Sequence, residues 1–158
     1  SNSALLQFPP VKQIDTVIAR FLLKSSTMLV VGLVLFSILI FTGIAGWPDD
    51  PLQVLYATLA MLMLGLGYGT FNCVLCNLFP VYTHFAGVTA RVLYFTSGLF
   101  FVPETLPTQV LNVLQLNPAL HGVELFRSGW SALYESRFAT FDYLLLFALV
   151  LLLFGLLL

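Results

Sequence analysis

Two long runs without a charged residue set the terms on which this chain can fold. Residues 25–48 are 24 consecutive uncharged positions, and residues 51–83 are a further 33. A helix crossing a hydrocarbon core of about 30 Å needs roughly 20 predominantly apolar residues, so each run is long enough for a span. In that medium the backbone must satisfy its own hydrogen bonds, which points to helices. Composition agrees: 59% of the 158 residues are hydrophobic and 8% charged, against about 25% charged in soluble domains. The expected fold is all-α, a polytopic membrane protein. With a net charge of −1 and no basic tail or patch, nothing suggests a nucleic-acid partner.

Four spans are expected: about 27–46, 53–79, 85–102 (interrupted only by Arg91), and one starting near Phe141 that runs to the end. Lys12, Arg20 and Lys24 precede the first, whereas the following turn, Gly46-Trp47-Pro48-Asp49-Asp50-Pro51, holds no Lys or Arg. The positive-inside rule then puts residues 1–24 in the cytoplasm and Asp49 and Asp50 outside. Alternation places 80–84 inside and 104–142 outside. The chain is expected to be a fragment cut at both ends. It lacks an initiating Met, and its last apolar run, 143–158, would cover only about 24 Å as a helix. No signal peptide opens it.

Two stretches are two-faced rather than apolar all round. In residues 11–24, Val11, Ile14, Val17, Ile18, Phe21 and Leu22 recur at helical spacing, with Lys12, Gln13, Thr16, Arg20 and Lys24 opposite. Pro9-Pro10 starts this helix. It reads either as an interfacial helix anchoring the first span or as a docking helix for a soluble partner such as a motor subunit.

The second stretch follows a short piece, residues 106–116, with Thr108, Asn112 and Gln115 on one side. Asn117 is a natural N-cap and Pro118 suits the first helical position. At 100° per residue Asn117, His121, Glu124, Arg127, Ser128 and Ser131 share one face, with Ala119, Gly122, Val123, Phe126, Trp130 and Leu133 opposite. Two helices too short to span, back to back, predict a re-entrant or surface-lying hairpin over 104–140. Glu124 and Arg127, three apart, can pair and so lower the cost of burial. His121 and Glu124 could suggest acid–base chemistry, but no nucleophile or metal-ligand set accompanies them. No catalytic, metal or cofactor residue is assigned.

Other signals have plain explanations. Gly65-Leu66-Gly67-Tyr68-Gly69 lacks the strand–turn–helix context of a dinucleotide site and the pore helix of a potassium filter. Gly65 and Gly69 at GxxxG spacing are expected to let helices approach. Cys73 and Cys76 sit inside an apolar run and are expected to be small structural residues, neither a disulfide framework nor a metal pair. Arg91 at mid-membrane would cost about 2.5–3.5 kcal/mol. It is either an anchor to lipid phosphate or a cavity-lining group that meets an anionic substrate. Trp47, Tyr56, Trp130, Tyr134 and Tyr143 form an expected outer aromatic belt; with a sugar substrate the same rings could stack on it.

Several elements in order resemble one family. They are Phe8-Pro9-Pro10-Val11, Asp15-x-x-x-Ala19-Arg20, Leu93-Tyr94-Phe95-Thr96-Ser97-Gly98-Leu99-Phe100-Phe101, Leu106-Pro107, and Leu116-Asn117-Pro118-x-Leu120-His121-x-x-Glu124-x-x-Arg127. Together they resemble the ABC-2 type transport permeases, in the branch exporting capsular polysaccharide across the Gram-negative inner membrane. The resemblance covers most of the chain.

It implies six membrane helices in the whole protein, four of them here, in a single transmembrane domain over residues 1–158. It further implies a homodimer, a pair of separate ABC ATP-binding subunits, a lipid-linked polysaccharide as cargo, contacts with membrane lipid, and periplasmic export proteins as further partners. The chain itself has no Walker motif, so it is expected to be a transport permease and not an enzyme, with ATP bound only by the partner subunit. Residues 9–24 become a cytoplasmic coupling helix, with Asp15, Arg20 and Lys24 meeting the ATPase. Residues 104–140 become an extracytoplasmic gate hairpin held by His121, Glu124 and Arg127. Arg91, Tyr94 and Trp130 become candidates for the substrate path. The same family with another cargo (O-antigen, teichoic acid, a drug) and a passive channel are the alternatives.

Overall fold

The computed structural model describes residues 13–131, 133, 134, 136 and 138–157. Among them there are six α-helices, one short 3-10 turn and no strand. Pro9, Pro10, Val11 and Lys12, which open the expected coupling helix, lie outside the described residues, as do Ala132, Glu135 and Arg137 in the expected hairpin. The chain divides into two compact units, residues 1–47 and 48–158.

The first unit is one helix, α1 (Gln13–Phe41), 29 residues long. The expected boundary between a docking helix ending at Lys24 and a span from about residue 27 is absent, because nothing between Gln13 and Val31 breaks a helix: Gly and Pro are both missing there. The polar step at Ser25-Ser26-Thr27 is absorbed locally. The three hydroxyls donate back to the carbonyls of Leu22 and, twice, Leu23, at 3.2, 3.1 and 2.7 Å, as Ser and Thr do inside helices. The helix stops at Phe41, five residues before the expected end. Gly43 takes φ +72°, and the N–H groups of Ile44 and Ala45 both close on the Leu39 carbonyl at 3.1 Å, a glycine-dependent C-terminal cap. Met28, Leu33 and Phe41 stay largely exposed along it.

The second unit is built on α2 (Pro51–Leu78). Asp50 Oδ1 accepts from the N–H of Leu52 and of Gln53, each at 3.1 Å, and Pro51 fills the first helical position, so the Asp-Pro pair starts the helix. Its 28 residues reach about 42 Å at 1.5 Å per residue. Helices α1 and α2 are the two that are long and apolar enough to cross a bilayer; α6 (Phe141–Leu157) is apolar but shorter. The third expected span is corrected. Helix α3 (Tyr82–Phe95) has 14 residues, about 21 Å, and does not run to Val102. Thr96 and Ser97 turn their hydroxyls onto the carbonyls of Val92 and Tyr94, and Gly98 adopts φ +79°. Apolarity continues through Leu99-Phe100-Phe101-Val102, but the helix does not.

After a turn at Pro103–Thr105 come α4 (Thr108–Leu114) and α5 (Pro118–Trp130). The register against α2 follows from close contacts. Gly129 lies against Val54, Gly122 against Met61, and Pro118 and Ala119 share a cavity with Leu64 and Tyr68. So α5 runs antiparallel to α2, rising from its middle to its N-terminus, where the Asp50 N–H bonds the Gly129 carbonyl at 3.0 Å. Helix α6 runs parallel to α2: Phe141 and Leu145 lie beside Tyr56 and Ala60, and Gly155 meets Thr70 and Phe71.

The core between α2, α5 and α6 is Ala57, Ala60, Leu64, Leu125, Leu144 and Ala148. Small residues let the backbones close up. A Cβ on Gly67 would fall 2.6 Å from the Ala148 carbonyl oxygen. The packing glycine of the Gly65–Gly69 segment is therefore Gly67. Gly69 has nothing within 4 Å of an added Cβ, and Gly65 is exposed. The correction has a geometric cause: two residues along a helix turn 200°, so Gly67 faces opposite to the expected pair.

Candidate functional site

The polar face of α5 points inward, not to solvent. Asn117, His121 and Glu124 are all buried, Glu124 completely, while Val123, Phe126 and Trp130 on the other face are only half-buried. In a helix beside lipid this inversion is reasonable, because hydrocarbon tolerates Phe and Trp while a carboxylate needs partners. Among the described residues no buried side-chain nitrogen or oxygen lacks a hydrogen bond.

Each group is fully engaged. Glu124 Oε1 receives Arg127 Nη1 at 2.6 Å, and the Tyr134 hydroxyl donates to Oε2. Arg127 uses its other arm, Nη2, on the Gly98 carbonyl at 3.0 Å, and its guanidinium carbon lies 5.6 Å from the centre of the Tyr134 ring. The cluster thus ties α5 to the turn after α3 and to the segment after α5. Gly98 fits for two reasons: its positive φ, and the 2.6 Å that would separate an added Cβ from Leu120 Cδ1.

His121 makes a second tie. The Thr140 N–H donates to Nδ1 at 3.2 Å, and Nε2 lies 2.9 Å from the Gln115 carbonyl. An Nδ1 that accepts and an Nε2 that donates define the neutral tautomer with its proton on Nε2. The ring rests on Tyr143, centroids 4.7 Å apart, and meets Phe138 edge-on; the Tyr143 hydroxyl bonds the Leu116 carbonyl. Asn117 makes the third. Its Oδ1 caps α5 at the Ala119 N–H, and its Nδ2 reaches the Leu93 carbonyl and Thr96 Oγ1 on α3, at 2.9 and 2.8 Å. Near the α2 N-terminus Gln53 Nε2 donates to Ser128 Oγ at 2.6 Å. Chemically this is a fastening set. Both Glu124 oxygens and both His121 nitrogens are occupied, so neither residue is poised to exchange a proton with a substrate.

The other residues singled out in the sequence lie elsewhere. Asp15, Arg20 and Lys24 are exposed in the first turns of α1, in the other unit. Arg91 and Tyr94 are exposed on α3, and Trp130 closes α5 at the far end, stacked on Phe126 with centroids 6.0 Å apart. The structure does not gather Arg91, Tyr94 and Trp130 into one site. Sequence reasoning missed Gly98, Tyr134 and Thr140 as partners of the cluster. The signal for Gly98 was the Ser97-Gly98 pair inside an apolar run. Tyr134 was read only as part of an aromatic belt, and a backbone N–H such as that of Thr140 leaves no trace in sequence.

An all-helical chain with two bilayer-length apolar helices and a short helix that fastens its polar face inward has the character of a polytopic membrane transport domain. The chain belongs to the ABC-2 type transporter family, whose signature matches residues 4–130. Among curated proteins it is similar to the capsule polysaccharide export inner-membrane protein CtrC of Neisseria meningitidis serogroup B, 33% identical over 99% of this chain and 59% of that protein. It is likewise similar to the polysialic acid transport protein KpsM of Escherichia coli, 33% identical over 99% of this chain and 60% of that protein. A third relative is the capsule polysaccharide export inner-membrane protein BexB of Haemophilus influenzae, 30% identical over 99% of this chain and 59% of that protein. The chain therefore spans about 60% of the length of these relatives.

Proposed function

We propose that this chain is part of the membrane-spanning permease of an ATP-driven exporter that moves capsular or related polysaccharide across the bacterial inner membrane. The observation that carries the reading is the family membership over residues 4–130, with relatives whose names specify capsule polysaccharide export or polysialic acid transport, aligned over 99% of the chain. In this reading two permease copies form the path, and a separate pair of ATP-binding subunits supplies the energy. The start of α1, with Asp15, Arg20 and Lys24 exposed, is the coupling element on the cytoplasmic side, and the polysaccharide is carried on a lipid anchor.

Helices α4 and α5 are the outer re-entrant hairpin. The register supports this: the Asn117 turn lies level with Leu64 and Tyr68 in the middle of α2, while Trp130 returns to its N-terminus. The Glu124–Arg127 pair, Tyr134 and His121 hold the hairpin against α3 and α6 as a gate that moves as one piece. Arg91, Tyr94 and Trp130 face the cargo at successive stages.

The test is purification of the full-length protein with its ATP-binding subunit, followed by ATP hydrolysis measured with and without candidate glycans. Glycan-stimulated hydrolysis that Arg20→Glu uncouples is the expected result. A protein that recruits no ATP-binding subunit sinks the proposal.

A further inference from the structure

The exposed side of α3 is unlike a surface made for lipid. Helix α6 exposes Leu146, Leu149, Leu153 and Phe154, all hydrocarbon. On α3, Ala86, Thr89 and Leu93 are the residues on the side toward α2, with Thr89 Oγ1 3.0 Å from the Tyr68 hydroxyl. At 100° per residue the opposite side carries His84, Gly87, Val88, Arg91, Tyr94 and Phe95, all exposed. Two of them bear strong polar groups with nothing to bond: neither the Arg91 guanidinium nor the Tyr94 hydroxyl has a partner among the described residues. Polar groups left in hydrocarbon are costly, so this side calls for a polar occupant.

A second observation says which kind. Tyr94, Phe95 and Phe100 form a mutual ring cluster, with centroid separations of 5.8, 5.7 and 5.7 Å. The three residues are nevertheless 53%, 61% and 65% exposed. They stand one helical turn beyond Arg91 on the same side. A preassembled aromatic surface next to an unpaired guanidinium matches an acidic sugar. The C–H face of a pyranose docks on the electron-rich ring faces, and a carboxylate or phosphate on the same or the next residue takes the planar fork of arginine.

We propose that this side of α3 is a subsite for an acidic polysaccharide strand, with Arg91 binding its anionic groups and Tyr94, Phe95 and Phe100 supporting the sugar rings. This rests on the export reading above and narrows its cargo. A neutral glycan would gain nothing from Arg91. A lipid phosphate would use Arg91 and leave the ring cluster and the Tyr94 hydroxyl idle.

The experiment uses the full-length protein with its ATP-binding subunit in phosphatidylcholine vesicles, with and without phosphatidylglycerol. Hydrolysis is titrated with oligogalacturonate, which is carboxylated, and with its carboxyl-reduced neutral form. In Arg91→Gln the half-saturating concentration of the acidic glycan should rise about tenfold, the loss of one charge-assisted contact. That of the neutral form should be unmoved, Arg91→Lys should fall between, and Tyr94→Leu should weaken both forms. Equal response to both glycans in unaltered protein and Arg91→Gln overturns the subsite and leaves the export reading standing. An effect of Arg91→Gln confined to vesicles with phosphatidylglycerol assigns Arg91 to lipid and overturns the subsite. Equal impairment with both glycans in Arg91→Gln and Arg91→Lys makes Arg91 a packing group and also overturns it. Stimulation of the unaltered protein by neither glycan overturns the export reading itself.

Discussion

Arg127 Nη1 lies 2.6 Å from Glu124 Oε1, one turn away on α5, and the two side chains differ in burial: Glu124 is wholly enclosed, Arg127 is 29% exposed. That asymmetry decides which half of the pair is dispensable. Removing Arg127 strands a buried carboxylate that keeps only the Tyr134 hydroxyl, and breaking such pairs costs on the order of 3–5 kcal/mol. Arg127→Met should therefore lower the thermal unfolding midpoint in detergent sharply. The double variant Glu124→Gln with Arg127→Met should recover much of the loss, since no charge is then left buried. Single and double variants of equal stability would show that the pair does not hold α5.

His121 is a connector rather than a proton donor, and the two roles respond differently to substitution. His121→Phe keeps the ring packing on Tyr143 but leaves the Thr140 N–H and the Gln115 carbonyl without their partner. A buried group so orphaned costs about 1–3 kcal/mol. Destabilisation of that size, read by thermal unfolding, should accompany retained transport in whatever fraction remains folded. Transport abolished in a fully stable His121→Phe protein would restore a chemical role for the imidazole.

Gly98→Ala should be harmful for two separable reasons. One is steric, since the new Cβ would sit 2.6 Å from Leu120 Cδ1; the other is conformational, since φ is +79°. Pairing Gly98→Ala with Leu120→Ala removes the clash alone. The residual cost should be about 1–2 kcal/mol, the penalty of a left-handed residue bearing a Cβ, beyond that of Leu120→Ala by itself. If the pair is no worse than Leu120→Ala, the backbone at 98 adjusts freely and the positive φ is not required.

How much of this was legible in the sequence depends on whether a signal was local. Asn117-Pro118 marked the start of α5, and its cap is made as those residues suggest. The apolar run after residue 140 marked α6 from Phe141. The end of α3 was hidden, because hydrophobicity continues past it and the stop comes from two hydroxyls and one glycine. The inward turn of the α5 polar face was hidden as well. Periodicity defines two faces but not which neighbour each meets, and beside lipid the usual rule of polar side outward loses its force. The merging of residues 13–24 with the following span was missed because a change in composition was taken for a change in structure.

The glycines of α2 provide the last test, because neighbouring positions predict opposite signs. An added methyl on Gly67 would press on backbone, 2.6 Å from the Ala148 carbonyl oxygen and 3.2 Å from the Leu152 nitrogen. Helices α2 and α6 would have to part along their shared core, and overpacking of this kind costs typically about 1–3 kcal/mol. An added methyl on Gly69 meets nothing within 4 Å. Within this chain Gly69→Ala should be neutral or gain up to about 1 kcal/mol from the better helix propensity of alanine. Thermal unfolding of the detergent-solubilised protein distinguishes them: Gly67→Ala should unfold earlier than the parent, Gly69→Ala at the same temperature or later. The reverse order would mean that Gly65 and Gly69 form the tighter helix contact, against a second copy or another segment of the full protein, and that the α2–α6 approach at Gly67 can relax.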